Sequence, residues 1–111
     1  MSYGSSIGEA IKRCAEADKL LYSKHALDEM DAEEFGEIGE DEVFEVLSSG
    51  RIIEEYPDDE PYSSCLLYGR TAADRPLHVV CAFAEDADMV IIITVYQPDP
   101  ARWIDFERRR A

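Results

Sequence analysis

The sequence is short of long apolar runs, of cysteine pairs and of positive charge, and each shortage excludes a class of protein. No apolar run approaches the roughly 18 residues needed to cross a bilayer. The first residues, MSYGSSIGEAIKRC, lack the apolar core of an export signal. Three cysteines without a C-x-x-C spacing do not make a disulfide framework. We therefore expect a cytoplasmic protein with reduced cysteines.

The glycines, cysteines and histidines form none of the familiar chemical motifs. The six glycines stand singly, which excludes a phosphate-cradling glycine loop and a nucleophile elbow. A zinc site needs about four ligands, usually at paired short spacings. Here the three cysteines and the two histidines, His25 and His78, are scattered along the chain. We predict neither a metal site nor a bound cofactor.

Acidic residues are what the sequence has in excess. The chain holds 25 Asp and Glu against 11 Lys and Arg, for a formal net charge of −14. Residues 1–60 contain 18 of the acids and only 5 of the bases, whereas residues 61–111 are close to charge balance. So negative a surface repels phosphate backbones at long range and favours basic partners. The alternative is that the charge only keeps the protein soluble.

The spacing of apolar residues changes from helical to alternating near residue 50. Apolar residues three and four apart predict helices near residues 6–20, 24–34 and 40–48. β-branched and aromatic runs bounded by turn residues predict strands near 51–56, 62–69, 76–84 and 89–97. Helices followed by strands indicate an α+β fold. We expect a single domain over residues 1–111, with two or three helices packed on a four-stranded antiparallel meander.

The last two predicted strands form a hairpin that is apolar on both faces. Pairing Ala84 with Met89 across the acidic turn places Tyr96 and His78 on opposite faces. In an antiparallel sheet with one face in solvent, apolar and polar residues alternate along each strand. The run MVIIITV is almost entirely apolar, which implies that both faces are covered. We expect helices on one face, and residues 98–111 or a second subunit on the other.

The turn before this hairpin sets the position of two cysteines. Placing Gly69 opposite Leu77 brings Cys65 and Cys81 level on neighbouring strands. Cross-strand neighbours rarely have good disulfide geometry, and the expected compartment is reducing. We therefore expect the two thiols to face each other and to remain reduced.

Blocks of residues, taken in order along the chain, match a known pattern. The blocks are SKHA from Ser23, Met30, GRIIEEYP from Gly50, SCLLYG from Ser64, RPLHVV from Arg75, ITVYQP from Ile93, and Trp103. Together they resemble the bacterial domain of unknown function 4258, over roughly residues 20–110. More distantly, that family resembles the RelE and BrnT toxins of toxin–antitoxin pairs. The resemblance implies a compact fold of helices on a sheet, cleavage of messenger RNA and an antitoxin-like partner.

The second predicted helix departs from the family pattern. Where the family carries arginines after the SKHA block, this chain reads LDEMDAEE from Leu27, with Glu29 at a position where arginine is usual. RNA binding relies on Lys and Arg to neutralise phosphates. The departure argues against nuclease activity, or confines it to the hairpin side of the molecule.

The candidate catalytic residues are His78, Tyr96, Arg70 and His25. His78 would be the base for a 2′-hydroxyl of RNA, Arg70 would offset the phosphate charge and Tyr96 would orient the groups. The alternative for His78 is a histidine that is hydrogen-bonded inside or beside the core. His25 matches a family position at a helix start, and the sequence does not show whether it meets His78.

Two functions follow from these observations. The first is a metal-independent, toxin-like endoribonuclease that uses these four residues on messenger RNA. The second is a non-catalytic member of the same fold, whose acidic helices or second sheet face binds a protein partner, either antitoxin-like or a second copy of the chain. The resemblance favours the first function. The net charge disfavours RNA and favours the second, and neither function involves a membrane.

Overall fold

The computed structural model describes residues 3–110, with side chains from Ile7 onward. In chain order the elements are α1 (Tyr3–Glu16), β1 (Leu20–Tyr22), α2 (Lys24–Ala32), α3 (Glu40–Ser49), β2 (Arg51–Tyr56), β3 (Ser64–Arg70), β4 (Pro76–Ala84), β5 (Met89–Tyr96), β6 (Trp103–Ile104) and β7 (Arg108–Arg109). The predicted α+β class and three helices are confirmed. Within the described residues, no helix has the length and apolar composition needed to cross a membrane.

The main sheet is mixed and has five strands, so the predicted four-stranded antiparallel sheet is wrong. Strands β2 to β5 do form an antiparallel meander, but β1 is added at its edge, parallel to β5, in the order β1-β5-β4-β3-β2. Asp18, with a positive φ of 58°, turns the chain out of α1 and into this strand. The three apolar residues Leu20–Tyr22 extend a helical pattern, and so short a run cannot be distinguished from a last helical turn by periodicity.

The core lies between the three helices and one face of the sheet. From the strands it takes alternate residues, all at most 3% exposed: Cys65, Leu67, Leu77, Val79, Cys81, Val90, Ile92 and Val95. From the helices it takes Ile11, Cys14, Ala26, Met30, Val43, Val46 and Leu47. Burying one such aliphatic side chain contributes about 1.5–3 kcal/mol. This layer is therefore what holds the helices to the sheet.

The predicted register between β3 and β4 is confirmed. Gly69 lies opposite Leu77, and Cys65 lies opposite Cys81. All cysteines are free and buried. The neighbouring Cys65 and the buried surroundings hold the pKa of the Cys81 thiol well above its ordinary value. This thiol therefore stays protonated and acts as a small apolar side chain.

A β-bulge in β5 changes the face on which its last residues lie. Near the turn the predicted register holds, but Ile93 is an extra residue without a partner in β4. Because side chains alternate between the two faces, one extra residue reverses every position beyond it. Val95 enters the core, and Tyr96 pairs with His78 and shares its face. The prediction that Tyr96 and His78 lie on opposite faces is wrong for this reason.

The second face of the sheet is partly covered by residues 98–110, one of the two predicted coverings. In this segment, β6 and β7 pair as a small antiparallel hairpin, termed here the tail hairpin. The Trp103 ring is 5% exposed and packs edge-on against His78, with 4.4 Å between ring centroids. The turn of the tail hairpin contains Phe106 at a φ of +62°, a conformation that bulky residues rarely adopt. The sheet thus has helices on one face and the tail hairpin on the other.

Candidate functional site

His78 lies under the tail hairpin with its side chain fully buried. The hydroxyl oxygen of Tyr96 is 3.0 Å from Nδ1, and the main-chain oxygen of Phe106 is 2.6 Å from Nε2. A carbonyl oxygen can only accept a hydrogen bond, so Nε2 carries the proton and donates to Phe106. Nδ1 then accepts from the Tyr96 hydroxyl. His78 is therefore a neutral imidazole whose two nitrogens are both occupied.

Burial keeps both members of this pair uncharged at neutral pH. It lowers the pKa of His78 below its usual 6.5 and raises the pKa of Tyr96 to about 12. A general base must reach the proton that it removes, directly or through one water. Here the accepting nitrogen is already bonded to Tyr96, and Trp103 covers the ring. The structure thus places His78 buried and hydrogen-bonded beside the core, which is the alternative considered from the sequence.

Arg70 approaches this pair through an aromatic ring. Its guanidinium carbon lies 5.6 Å from the centre of the Phe106 ring, and one nitrogen donates to the main-chain oxygen of Asp74 at 3.0 Å. The Arg70 side chain is 43% exposed. Arg70 therefore stands at the solvent side of the cluster and makes its contact with Phe106, not with His78 directly.

Arg109 anchors the tail hairpin to the edge strand β2. Its guanidinium carbon lies 4.7 Å from the centre of the Trp103 ring, and two of its nitrogens donate to the Glu54 carboxylate at 2.9 and 3.1 Å. The Tyr56 hydroxyl donates to the same carboxylate at 2.5 Å. These bonds, chiefly those from Arg109, lower the pKa of Glu54. Charge-assisted bonds of this kind fix the hairpin in position over His78.

His25 lies on a different part of the surface. It is in the first turn of α2, its side chain is 67% exposed, and its Nε2 is 3.4 Å from Oε1 of Glu29. The predicted catalytic set is therefore divided. His78 and Tyr96 are hydrogen-bonded to each other and Arg70 is beside them, whereas His25 is outside the cluster.

The acidic side of α2 has a structural use that sequence reasoning missed. Because β1 pairs with only three residues of β5, the N–H groups further along that point away from β4 have no neighbouring strand as acceptor. Glu29 Oε1 accepts from Val95 N at 3.1 Å, and Glu33 Oε1 accepts from Gln97 N at 2.8 Å. Acids four apart share one side of a helix, and amides two apart share one edge of a strand. That matched spacing is the sequence signal that could have revealed the contact.

Residues 27–45, which run through α2, the following loop and most of α3, are termed here the acidic surface. They hold ten acids and no Lys or Arg. Three large apolar side chains in the same stretch are exposed, namely Leu27 at 40%, Phe35 at 48% and Phe44 at 41%. Each of these side chains can offer apolar contact area to another molecule. The acidic surface therefore combines charge with apolar contact groups.

Arg75 links the acidic surface to the sheet through hydrogen bonds. Its Nε donates to the Gln97 side chain at 2.7 Å, and Nη1 donates to the Glu37 main chain at 2.9 Å and to Glu42 at 3.2 Å. A further bond joins it to the main-chain oxygen of Gly36. Its side chain is only 17% exposed. Arg75 is therefore a structural arginine and is not available to a phosphate.

A cleft of about 600 Å³ opens beside Tyr96 at the tail hairpin. Its lining residues are Tyr96, Asp99, Ala101, Arg102, Trp103, Arg109 and Arg110. Across residues 3–110, no three His, Cys, Asp or Glu side chains are grouped in a way that could hold a metal ion. The chemistry offered by the cleft is thus that of guanidinium groups beside a buried Tyr–His pair.

Comparison with protein families gives a match for the central part of the chain. A family model described as domain of unknown function (DUF4258) matches residues 22–97. The matched part includes His25, His78 and Tyr96, and it ends before the tail hairpin. No curated protein and no solved structure matches the chain.

Proposed function

The chain belongs to the DUF4258 family, and we propose that it is a non-catalytic, protein-binding member whose acidic surface holds a basic, partly apolar segment of a partner. The observation that carries this proposal is the composition of residues 27–45, which hold ten acids, no Lys or Arg, and three exposed large apolar side chains. Binding energy is concentrated in buried apolar and aromatic anchors, and charge sets orientation and association rate. The acidic surface supplies both.

The burial of His78 supports binding over cleavage. A 2′-hydroxyl cannot approach Nδ1 while the Tyr96 hydroxyl occupies it and Trp103 covers the ring. Glu29, at a position where arginine is usual in the family, also supports binding over cleavage. Its carboxylate accepts from the main chain of β5 and offers nothing to a phosphate. The resemblance to toxin families supports an antitoxin-like partner, a small protein with a basic segment.

The test is the affinity of the purified chain for the purified product of an adjacent reading frame. Phe44→Ser and Glu34→Lys should each weaken binding about tenfold or more, because they remove an anchor and reverse a charge. Raising the salt concentration from about 50 to about 500 mM should also weaken it.

Two control variants make the same chemical changes elsewhere. Leu21→Ser removes an apolar side chain that is 57% exposed on β1, and Glu60→Lys reverses an exposed charge in the loop between β2 and β3. Both should bind like the parent. Equal weakening by the controls, salt-independent binding or no binding to the adjacent product would contradict the proposal.

A toxin-like endoribonuclease acting on messenger RNA is the second candidate, favoured by one observation. Tyr96 and His78 are hydrogen-bonded to each other, with Arg70 on the solvent side of the same cluster. In this function the tail hairpin would leave, His78 would accept the 2′-hydroxyl proton and Arg70 would offset the phosphate charge.

This candidate is tested with purified protein on RNA and on translating ribosomes. Removing a general base costs about 10²- to 10⁴-fold in rate, so His78→Gln and Tyr96→Phe should both be impaired, and His25→Ala should be less affected. Because His78 is buried, only variants with a native circular dichroism spectrum count. The absence of cleavage by the parent in both assays, with no growth inhibition on induced expression, would exclude the nuclease.

A further inference from the structure

The tail hairpin concentrates positive charge in a strongly acidic protein. Residues 102–110 contain four arginines and two acids, in a chain of net charge −14. Three of these arginines line the cleft of about 600 Å³ beside Tyr96. Pockets that hold small ligands measure about 300–1,000 Å³. The cleft therefore has the size for a nucleotide-sized anion and the local charge to attract one.

The three arginines of the cleft differ in how they are held. Arg109 is already paired with Glu54, and Arg110 donates from Nε to the main-chain oxygen of Pro100 at 2.9 Å. Within residues 7–110, the Arg102 guanidinium has no hydrogen bond or ion pair. Within the described residues, all five of its N–H donors are therefore open to a ligand, and Arg110 retains the donors of its terminal nitrogens.

The opposite charge is also present in the wall of the cleft. Asp99 lines it, and Oδ1 of this carboxylate accepts from Ala101 N at 2.8 Å. The other oxygen can accept a hydrogen bond from a ligand hydroxyl. A wall with guanidinium groups and one carboxylate suits a ligand that carries both a phosphate and hydroxyl groups.

We propose that this cleft binds the phosphate group of a small phosphorylated sugar or nucleotide, with Arg102 and Arg110 on the phosphate and Asp99 on a hydroxyl. Guanidinium forks match phosphate oxygens in pairs, and such charge-assisted bonds are about twice as strong as neutral ones. Arg109, neutralised by Glu54, shapes the wall. The cleft shares no lining residue with the acidic surface, so the phosphate site and the proposed partner site use different residues.

The single tryptophan of the chain, Trp103, lines the cleft and reports on its occupancy through its fluorescence. Titration with adenosine monophosphate or ribose 5-phosphate should change the emission and saturate, whereas adenosine should have no effect. Arg102→Ala should weaken the binding of both phosphates about ten- to a hundredfold, because it removes charge-assisted hydrogen bonds. Titration calorimetry of the same mixtures provides a readout that does not depend on the emission.

Arg108→Ala is the matched control, since Arg108 is exposed on the same hairpin and does not line the cleft. It removes the same charge and should change the affinity by no more than about twofold. Equal losses in the two variants would show general charge attraction and overturn the proposal. Saturation by adenosine, or no saturable binding of adenosine monophosphate up to about 10 mM by either method, would overturn it as well.

Discussion

Replacing Glu29 with alanine tests how α2 completes the edge of the sheet. Val95 is fully buried, and its main-chain N–H donates to Oε1 of Glu29 at 3.1 Å. Strand β1 does not reach this part of β5, so Glu29→Ala leaves the N–H without a protein acceptor. We expect a measurable loss of stability even though the Glu29 side chain is 29% exposed.

The expected size of the loss follows from three opposing effects. A hydrogen bond to a charged group contributes about 1.5–3 kcal/mol. Water can replace part of the lost bond at a partly exposed position, and the better helix propensity of alanine returns about 0.3–0.4 kcal/mol. A net loss of about 1–2 kcal/mol remains. With an unfolding entropy of about 2.1 cal/mol/K per residue, the melting temperature should fall by about 4–9 °C.

Urea and thermal unfolding of matched variants provide the measurement. Asp31→Ala makes a similar change at an exposed position of α2 and should alter stability by at most about 0.5 kcal/mol. Glu29→Gln keeps an oxygen acceptor and should retain most of the stability. Glu29→Arg offers only donors and should be at least as unstable as Glu29→Ala. Equal effects of Glu29→Ala and Asp31→Ala, with unchanged amide exchange at Val95, would refute the reasoning.

Three further predictions concern the interior of the sheet. Tyr96→Phe leaves Nδ1 of His78 buried without a donor and should cost about 1–3 kcal/mol in urea unfolding; an unchanged midpoint would contradict the assigned tautomer. Burial lowers the pKa of His78 in the folded state, so the unfolded chain takes up the proton first as the pH falls. Stability should therefore be full above about pH 6.5 and decline below it, and equal urea midpoints at about pH 7.5 and 5.5 would contradict this. Cys65 and Cys81 should be reduced in freshly isolated protein and should react with a thiol reagent only on unfolding, which mass spectrometry checks.

The predictability of each element from sequence depended on the length of its pattern. Strands β2 and β4 have the predicted limits, because turn-forming residues mark both ends of each run: Gly50 and Pro57 around β2, and Asp74 and Glu85 around β4. Strand β1 was missed because three apolar residues after a helix carry no period of their own. The strands of the tail hairpin are two residues each, and they are positioned by Trp103 on His78 and by Arg109 on Glu54. These contacts join residues that are far apart in the sequence, so the residues next to each short strand give no sign of it.

Three of the four predicted residues, His78, Tyr96 and Arg70, lie in one cluster, but the sequence did not predict how they are arranged. The run MVIIITV offers several similar apolar residues, and nothing in it marks Ile93 as the one without a partner. Without that bulge, Tyr96 would face the helices and could not bond to His78. The division of the set was equally hidden, because the position of His25 depends on how α2 lies along β5. Residue type and the family resemblance suggested the four residues, and the register determined which of them meet.

The extra residue at Ile93 makes the length of β5 as important as its composition. Exchanging one β-branched residue for another in this run changes little, because volume and apolarity are nearly conserved. Deleting a single residue would restore regular pairing with β4 and move each later side chain to the opposite face of the sheet. Tyr96 would then lie against the helices and Val95 against the tail hairpin. The bond to His78 would be lost although the strand would keep almost the same amino acids. Among relatives of this chain, single-residue insertions and deletions in β5, more than substitutions, should separate those that have the Tyr–His pair from those that lack it.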